Sequence, residues 1–275
     1  MSQDTSPLVS VHEFAPIPIW WGKFHFEINQ SRTWQFGSLV LRLTRMLNEW
    51  RLEYHRPLIQ HDYEQEYKPI NDVEYSLASP IQTERFMFRQ TTPEIYLMPR
   101  LAPESVVIRP NIPVYIPSGQ STTFYISTPL WIRAYIHQPD DPLFELPVIQ
   151  AKETWFGKTK QKGELCYVTA VDARTSLESL PPRAFRAVTP VRLQNNSLQQ
   201  MRFERMKVPV THLPLFYSLD LGRLITTHIQ VRYDSQDDVP KVRISDRLLD
   251  STGQVQQIHK VHEQNNLSNL FDLWI

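Results

Sequence analysis

Cysteine is almost absent from this 275-residue chain: Cys166 stands alone, so neither an intrachain disulfide framework nor a multi-cysteine zinc site can form. Charge of one sign is absent too. Twenty-nine Lys and Arg balance 29 Asp and Glu, so no global field draws the molecule to nucleic acid or to an anionic membrane. This balance argues against nucleic acid as a partner, and any such affinity has to be local. Long apolar runs are missing as well; the stretch 16–22 is far short of the roughly 20 residues that span a bilayer. The first residues, MSQDTSPLVSVHE, carry no basic or apolar leader pattern, and the expectation is a cytoplasmic protein. Glycine is scarce at 7 residues whereas proline is abundant at 22, spread along the whole chain. Because proline costs about 3 kcal/mol inside a helix, long helices are excluded over most of the sequence.

What is present is alternation with a period of two, the signature of strands with one buried face. Ile225, Thr227, Ile229, Val231 and Tyr233 alternate with Thr226, His228, Gln230 and Arg232, which predicts a half-buried strand over 225–233. Over 106–136 even positions carry Val106, Ile108, Ile112, Val114, Ile116, Phe124, Ile126, Leu130, Ile132 and Ile136. Pro110, Pro113, Pro117 and Pro129 cut this run into short strands, and the Pro-Ser-Gly-Gln at 117–120 reads as a turn. Leu39, Leu41 and Leu43 followed by Trp50, Leu52 and Tyr54 predict a hairpin. A second hairpin is expected from Val191 and Leu193 through Asn195-Asn196 to Met201 and Phe203. Further strands are expected at 23–28, 84–89, 164–171 and 241–244, and at most one short helical turn at 177–186.

The class that follows is all-β, mainly antiparallel, sandwich-like or barrel-like, with two sheet units and a short C-terminal helix or tail. The division expected is an N-terminal β unit over 1–92, a β-sandwich unit over 93–245, and a polar tail over 246–275 that ends in an amphipathic segment.

Three stretches carry a resemblance: VVIRPNIPVYIPSGQSTTFYISTPLWI at 106–132, TWFGKTKQKGELCYVTAVDAR at 154–174 and RAVTPVRLQNNSLQQMRFERM at 186–206. In order and spacing they resemble a prokaryotic family designated domain of unknown function number 432, over about 35–245. The resemblance implies a prokaryotic, β-rich protein with no assigned reaction, and supplies no functional residues.

Catalytic signatures fail one by one. Gly157-Lys158-Thr159 matches the end of a phosphate-binding loop, but the glycine required five positions earlier is Lys152, and β-patterned sequence follows in place of a helix. No G-x-S-x-G elbow occurs. Cys166 lies mid-strand, where a small core residue is the common role. His259 and His262 lack a patterned third ligand, and Asp140-Asp141 and Asp237-Asp238 read as turn residues. No cofactor or metal site is expected.

Two segments suggest partners. Residues 152–207 hold 11 Lys and Arg against 5 Asp and Glu, a net of +6, and within them Trp155, Phe156, Lys158, Lys160 and Lys162 form a basic aromatic loop at 155–162. Such a loop offers ring faces and an anion site. At the C-terminus, Leu267, Leu270, Phe271, Trp274 and Ile275 recur at helical spacing, the pattern of a short helix laid into a groove, on its own core or on a partner. The leading expectation is a non-catalytic interaction or accessory protein that meets a protein partner or another copy of itself through this tail. The alternative is a β domain that binds a small molecule or anion through the loop 155–162, with or without acting on it.

Overall fold

Period-two burial runs along most of the chain, and its interruptions decide how the strands pair. The computed structural model describes residues 16–56, 67–70, 81–157, 163–235, 240–260 and 273–274, with backbone alone at 67–70 and 273–274. After β1 (Gly22–His25), the chain lays β2 (Ser31–Phe36), β3 (Leu39–Arg45), β4 (Glu49–His55), β5 (Tyr67–Ile70) and β6 (Gln82–Met87) into one antiparallel sheet of order β5-β2-β3-β4-β6. The β3–β4 hairpin is the one expected from the sequence, with Leu39, Leu41, Leu43, Trp50 and Leu52 fully buried. Arg45 closes its end from within the core, donating to Thr91 Oγ1 (3.0 Å), the Thr91 carbonyl (2.9 Å) and the Phe26 carbonyl (2.8 Å). A buried guanidinium satisfied this way holds three chain segments together.

A second sheet, β1-β7-β11-β12, is built from β7 (Glu94–Arg100), β11 (Trp131–Tyr135) and β12 (Pro142–Pro147) around β1. Between them in sequence come β8 (Val106–Pro110), β9 (Val114–Ile116) and β10 (Ser121–Pro129). The even-position parity expected over 106–136 holds at Val106, Ile108, Ile116, Phe124, Ile126, Leu130 and Ile132; it fails at Ile112, 78% exposed in the bend after Pro110.

A third sheet joins β13 (Lys152–Gly157), β14 (Gly163–Val171), β8, β17 (Arg205–Val208) and β23 (Leu273–Trp274) in that order, with β14 and β8 parallel. The largest sheet is centred on β15 (Arg186–Asn196), which pairs with β10 on one edge. On the other edge lie two parallel strands, β19 (Arg223–Thr226) beside Ala187–Val188 and β20 (Ile229–Asp234) beside 191–196. The outer strands are β21 (Lys241–Ile244) on β20, then β18 (Leu215–Ser218) on β19 and β22 (Val255–His259) on β18.

Pro190 sits in the middle of this central strand without orphaning a neighbour. Its cross-strand partner Tyr125 turns its N–H away from β15, to the Arg174 carbonyl at 2.8 Å, so the Tyr125–Pro190 pair is a non-hydrogen-bonded one. The nitrogen of Pro190 therefore faces the opposite edge, in the gap where the pairing to β19 has ended at Val188–Ile225 and β20 begins at Ile229.

Four expectations need correction. The sheets do not close into a barrel. The hairpin expected through Asn195-Asn196 does not form; β16 (Met201–Phe203) pairs with β9 instead, in a two-stranded sheet. Asn195 is buried and works as a staple, donating to the carbonyls of Ile116 (2.9 Å) and Gln199 (2.8 Å). The strand expected over 225–233 breaks at Thr227–His228 because Ile225 and Ile229 serve different apolar clusters. Residues 246–260, read as the start of a polar tail, carry β22 and its pairing to β18.

Among the described residues helix is confined to two 3-10 turns, Val210–His212 and Asp250–Thr252, and no helix is long and apolar enough to cross a membrane. The main core runs from Ile17 to Val242 and draws on both sides of the boundary placed at 92.

Candidate functional site

Trp155 and Phe156 lie on β13 and face opposite ways. Phe156 is 3% exposed and packs with Val107 and Cys166, while the Arg205 guanidinium lies 5.5 Å from its ring centre, so it presents no surface to a ligand. Trp155 is half exposed, and its ring lies across Gly163: a Cβ there would come within 2.5 Å of Trp155 Nε1, so a glycine is needed at that crossing. Lys158, Lys160 and Lys162 lie outside the described residues, as do Leu267, Leu270, Phe271 and Ile275. At Leu273–Trp274 the backbone is a strand paired to Arg205–Met206, so the helical stripe expected over 267–275 does not extend through these two residues. Cys166 is fully buried, and burial followed by the neighbouring Glu164 carboxylate pushes its thiol up to about 12, leaving no thiolate at neutral pH.

The basic stretch 152–207 does build a site, with different side chains. A cavity of about 340 Å³ between β10, β14 and the segment 172–186 adjoins one of about 180 Å³ between β11, β13 and β14. Thr169, Ala170 and Arg186 line both, so the two form a single cleft along β14. Its first end holds Tyr125, Arg174, Arg183 and Arg186. Its second holds Trp131, Tyr167, Ile149 and Lys152, with the Trp131 and Tyr167 rings 5.6 Å apart and tilted by 41°.

Local geometry explains why the arginines converge. Leaving β14, the chain reverses at Ala173, whose φ of +46° is a conformation that L-residues seldom adopt. The reversal brings Arg174 alongside β10, where its carbonyl accepts the Tyr125 N–H described above. The wall that follows is pinned from below by Arg223, a buried guanidinium that donates to the carbonyls of Leu180 (2.9 Å) and Leu177 (3.3 Å). Trp20 Nε1 donates to the Ala184 carbonyl at 2.8 Å, and the Leu130 N–H to that of Phe185 at 2.9 Å. The cleft thus rests on fixed backbone.

Within the cleft, Arg186 donates to the Ser127 carbonyl (3.0 Å), while Arg174 donates to that of Ser179 (2.6 Å) and pairs with Asp172 (3.3 Å). Three guanidiniums and Lys152 face one lining carboxylate, Asp172, which leaves the cleft positive. Burial raises the Tyr125 phenol, with Glu178 adding to it, and raises that of Tyr167, with Glu104 and Glu153 adding; both stay protonated donors at neutral pH. No histidine or cysteine is among the lining residues. The arrangement can grip an anion by guanidinium hydrogen bonds and flank a planar group with rings.

The sequence reading missed Trp131, Tyr167, Arg174, Arg183 and Arg186. The +6 excess over 152–207 covers all of these except Trp131, but nothing local shows that a reversal at Ala173 gathers them opposite the edge of β10.

By architecture the chain is an all-β protein of several open sheets with a positive, partly aromatic cleft where three of them meet. The family described as Protein of unknown function (DUF432) matches residues 20–273, nearly the whole length, and the chain belongs to that family. Comparison with curated proteins and with solved structures found no match.

Proposed function

We propose that the protein is a cytoplasmic, non-catalytic accessory protein whose cleft binds a small molecule made of a planar apolar part joined to an anionic group. The observation that carries this reading is the continuity of the aromatic end and the arginine end through Arg186. A ligand with both parts would place its ring against Trp131 and Tyr167 and its anion beside Arg174, Arg183 and Arg186. The cleft's volume lies near the lower end for small-molecule sites, which suits a ligand of nucleotide size or smaller. Its phenols and guanidiniums are hydrogen-bond donors, which favours binding over proton transfer. The buried, unreactive Cys166 suits a reducing compartment.

The test is a thermal-shift and calorimetric panel of nucleoside monophosphates, aryl phosphates and aryl carboxylates, run beside inorganic phosphate and free nucleosides. A bifunctional ligand at about 100 times its Kd adds about 2.7 kcal/mol of apparent stability. Trp131→Ala and Arg186→Ala are each expected to weaken it by about tenfold, near 1.4 kcal/mol. Binding that is unaltered in both variants, or a panel without a single binder, overturns the reading.

A further inference from the structure

The outer side of β15, β20 and β21 holds a second positive surface, on a different set of residues from the cleft. Arg192, Gln194, Gln230, Arg232, Lys241 and Arg243 are all exposed there, around a shallow depression of about 300 Å³. Strand register arranges them in two cross-strand rows: Arg192, Gln230 and Arg243 in one, Gln194, Arg232 and Lys241 in the other. With strands about 4.8 Å apart, each row spans about 10 Å and carries two cations and an amide. Across the other edge of β15 the rows continue into hydroxyls, Thr123 opposite Arg192 and Ser121 opposite Gln194.

The opposite side of the same strands is core: Val191, Leu193, Ile229, Val231 and Val242 are buried. The cations are therefore mounted on a rigid sheet at fixed spacing. Asp234 binds Arg232 at 3.0 Å and takes a hydrogen bond from Asn196 at 2.8 Å, but Arg192 and Arg243 have no ion-pair partner among the described residues. Like charges side by side on a sheet oppose folding, and a bound polyanion would relieve that repulsion.

We infer that this face binds the phosphodiester backbone of a nucleic acid without reading its sequence. Arginine, lysine, glutamine, serine and threonine are the side chains that contact phosphate and sugar. The two rows present no aromatic ring for stacking unpaired bases, so the fit is to a duplex rather than to a single strand. They also present no exposed apolar side chain to enter a lipid surface, which sets an anionic membrane behind nucleic acid. The zero net charge that argues against nucleic acid at the level of the whole sequence averages this face away.

The experiment measures fluorescence anisotropy of a labelled duplex of about 20 base pairs with the intact protein, from about 50 to about 200 mM salt. Binding is expected to weaken linearly in log–log form with a slope between about −1.8, from Arg192 and Arg243 alone, and about −3.6, with Arg232 and Lys241 also on phosphate. The double variant Arg192→Glu/Arg243→Glu should lose at least about tenfold in affinity, and Arg192→Gln/Arg243→Gln should lose less and lower the slope by about 2. Arg186→Ala, in the cleft, should leave duplex binding unchanged, which separates this inference from the cleft proposal. Circular dichroism of each variant confirms folding. The inference falls if the duplex does not bind at about 50 mM salt. It falls equally if both double variants bind as the wild type does, or if phosphatidylserine vesicles are retained while the duplex is not.

Discussion

Glu49 shows how one side chain ties stability to pH. It is buried at the start of β4, where two arginines converge on it: Arg85 donates through Nε at 2.9 Å and through a second nitrogen, and Arg51 through Nε at 2.9 Å. The Arg85 hydrogen bonds, helped by Arg51 and opposed by burial, hold its carboxyl at about 2, against an ordinary 4.5. A depressed carboxyl contributes its full share above the unfolded value, and that share disappears as pH falls from about 4.5 towards 2. Glu49→Gln should therefore lower stability at pH 7 by about 1.5–3 kcal/mol and flatten the acid limb. Urea midpoints measured at pH 7, 4 and 3 check this, and a variant with the wild-type acid slope would contradict it. Residues of this kind are legible only in part. Arg51 stands on an expected strand with Glu49 in the connection just before it, but Arg85 arrives from β6 through a register that no local pattern announces.

At the scale of elements, the wall 172–186 is the part whose order the cleft requires. Up to Phe185, before β15 begins, it has no regular structure beyond its isolated bridge at Arg174, and it hangs from buried donors, chief among them Arg223. Arg223→Met is expected to lower stability by about 1–3 kcal/mol by leaving the Leu180 carbonyl unpaired, whereas the Leu177 carbonyl keeps the Leu180 N–H at 3.1 Å. Amide exchange should rise at 176–183 while protection of the β3–β4 hairpin is kept; equal loosening of both regions would contradict a local role. Hairpins with short loops, such as β3–β4, follow directly from alternation because their partners are adjacent in sequence. Pairings that skip along the chain do not. Asn195-Asn196 carries the composition of a turn, and only the contacts to Ile116 and Gln199 reveal a buried polar staple. The basic excess over 152–207 pointed to the right stretch, yet the lysine loop within it drew attention away from Arg174, Arg183 and Arg186. Those residues become neighbours only after the reversal at Ala173.

For the whole molecule, the core shared across residue 92 sets the unit of cooperativity. β1 pairs with β7, and Trp20, fully buried, donates to the Ala184 carbonyl. Unfolding by urea should give coincident transitions by tryptophan fluorescence and by circular dichroism, and separately expressed 1–92 and 93–275 should both fail to fold. Two resolved transitions would show independent units. The position of β15 also bears on synthesis. When the chain has grown to about residue 200, β10 and β15 can pair, but the opposite edge of β15 waits for β19 and β20, which end at Asp234. At about 5–20 residues per second the ribosome takes roughly 2–7 s to supply them, and for that interval the nascent chain carries an uncapped strand edge of the kind that templates aggregation.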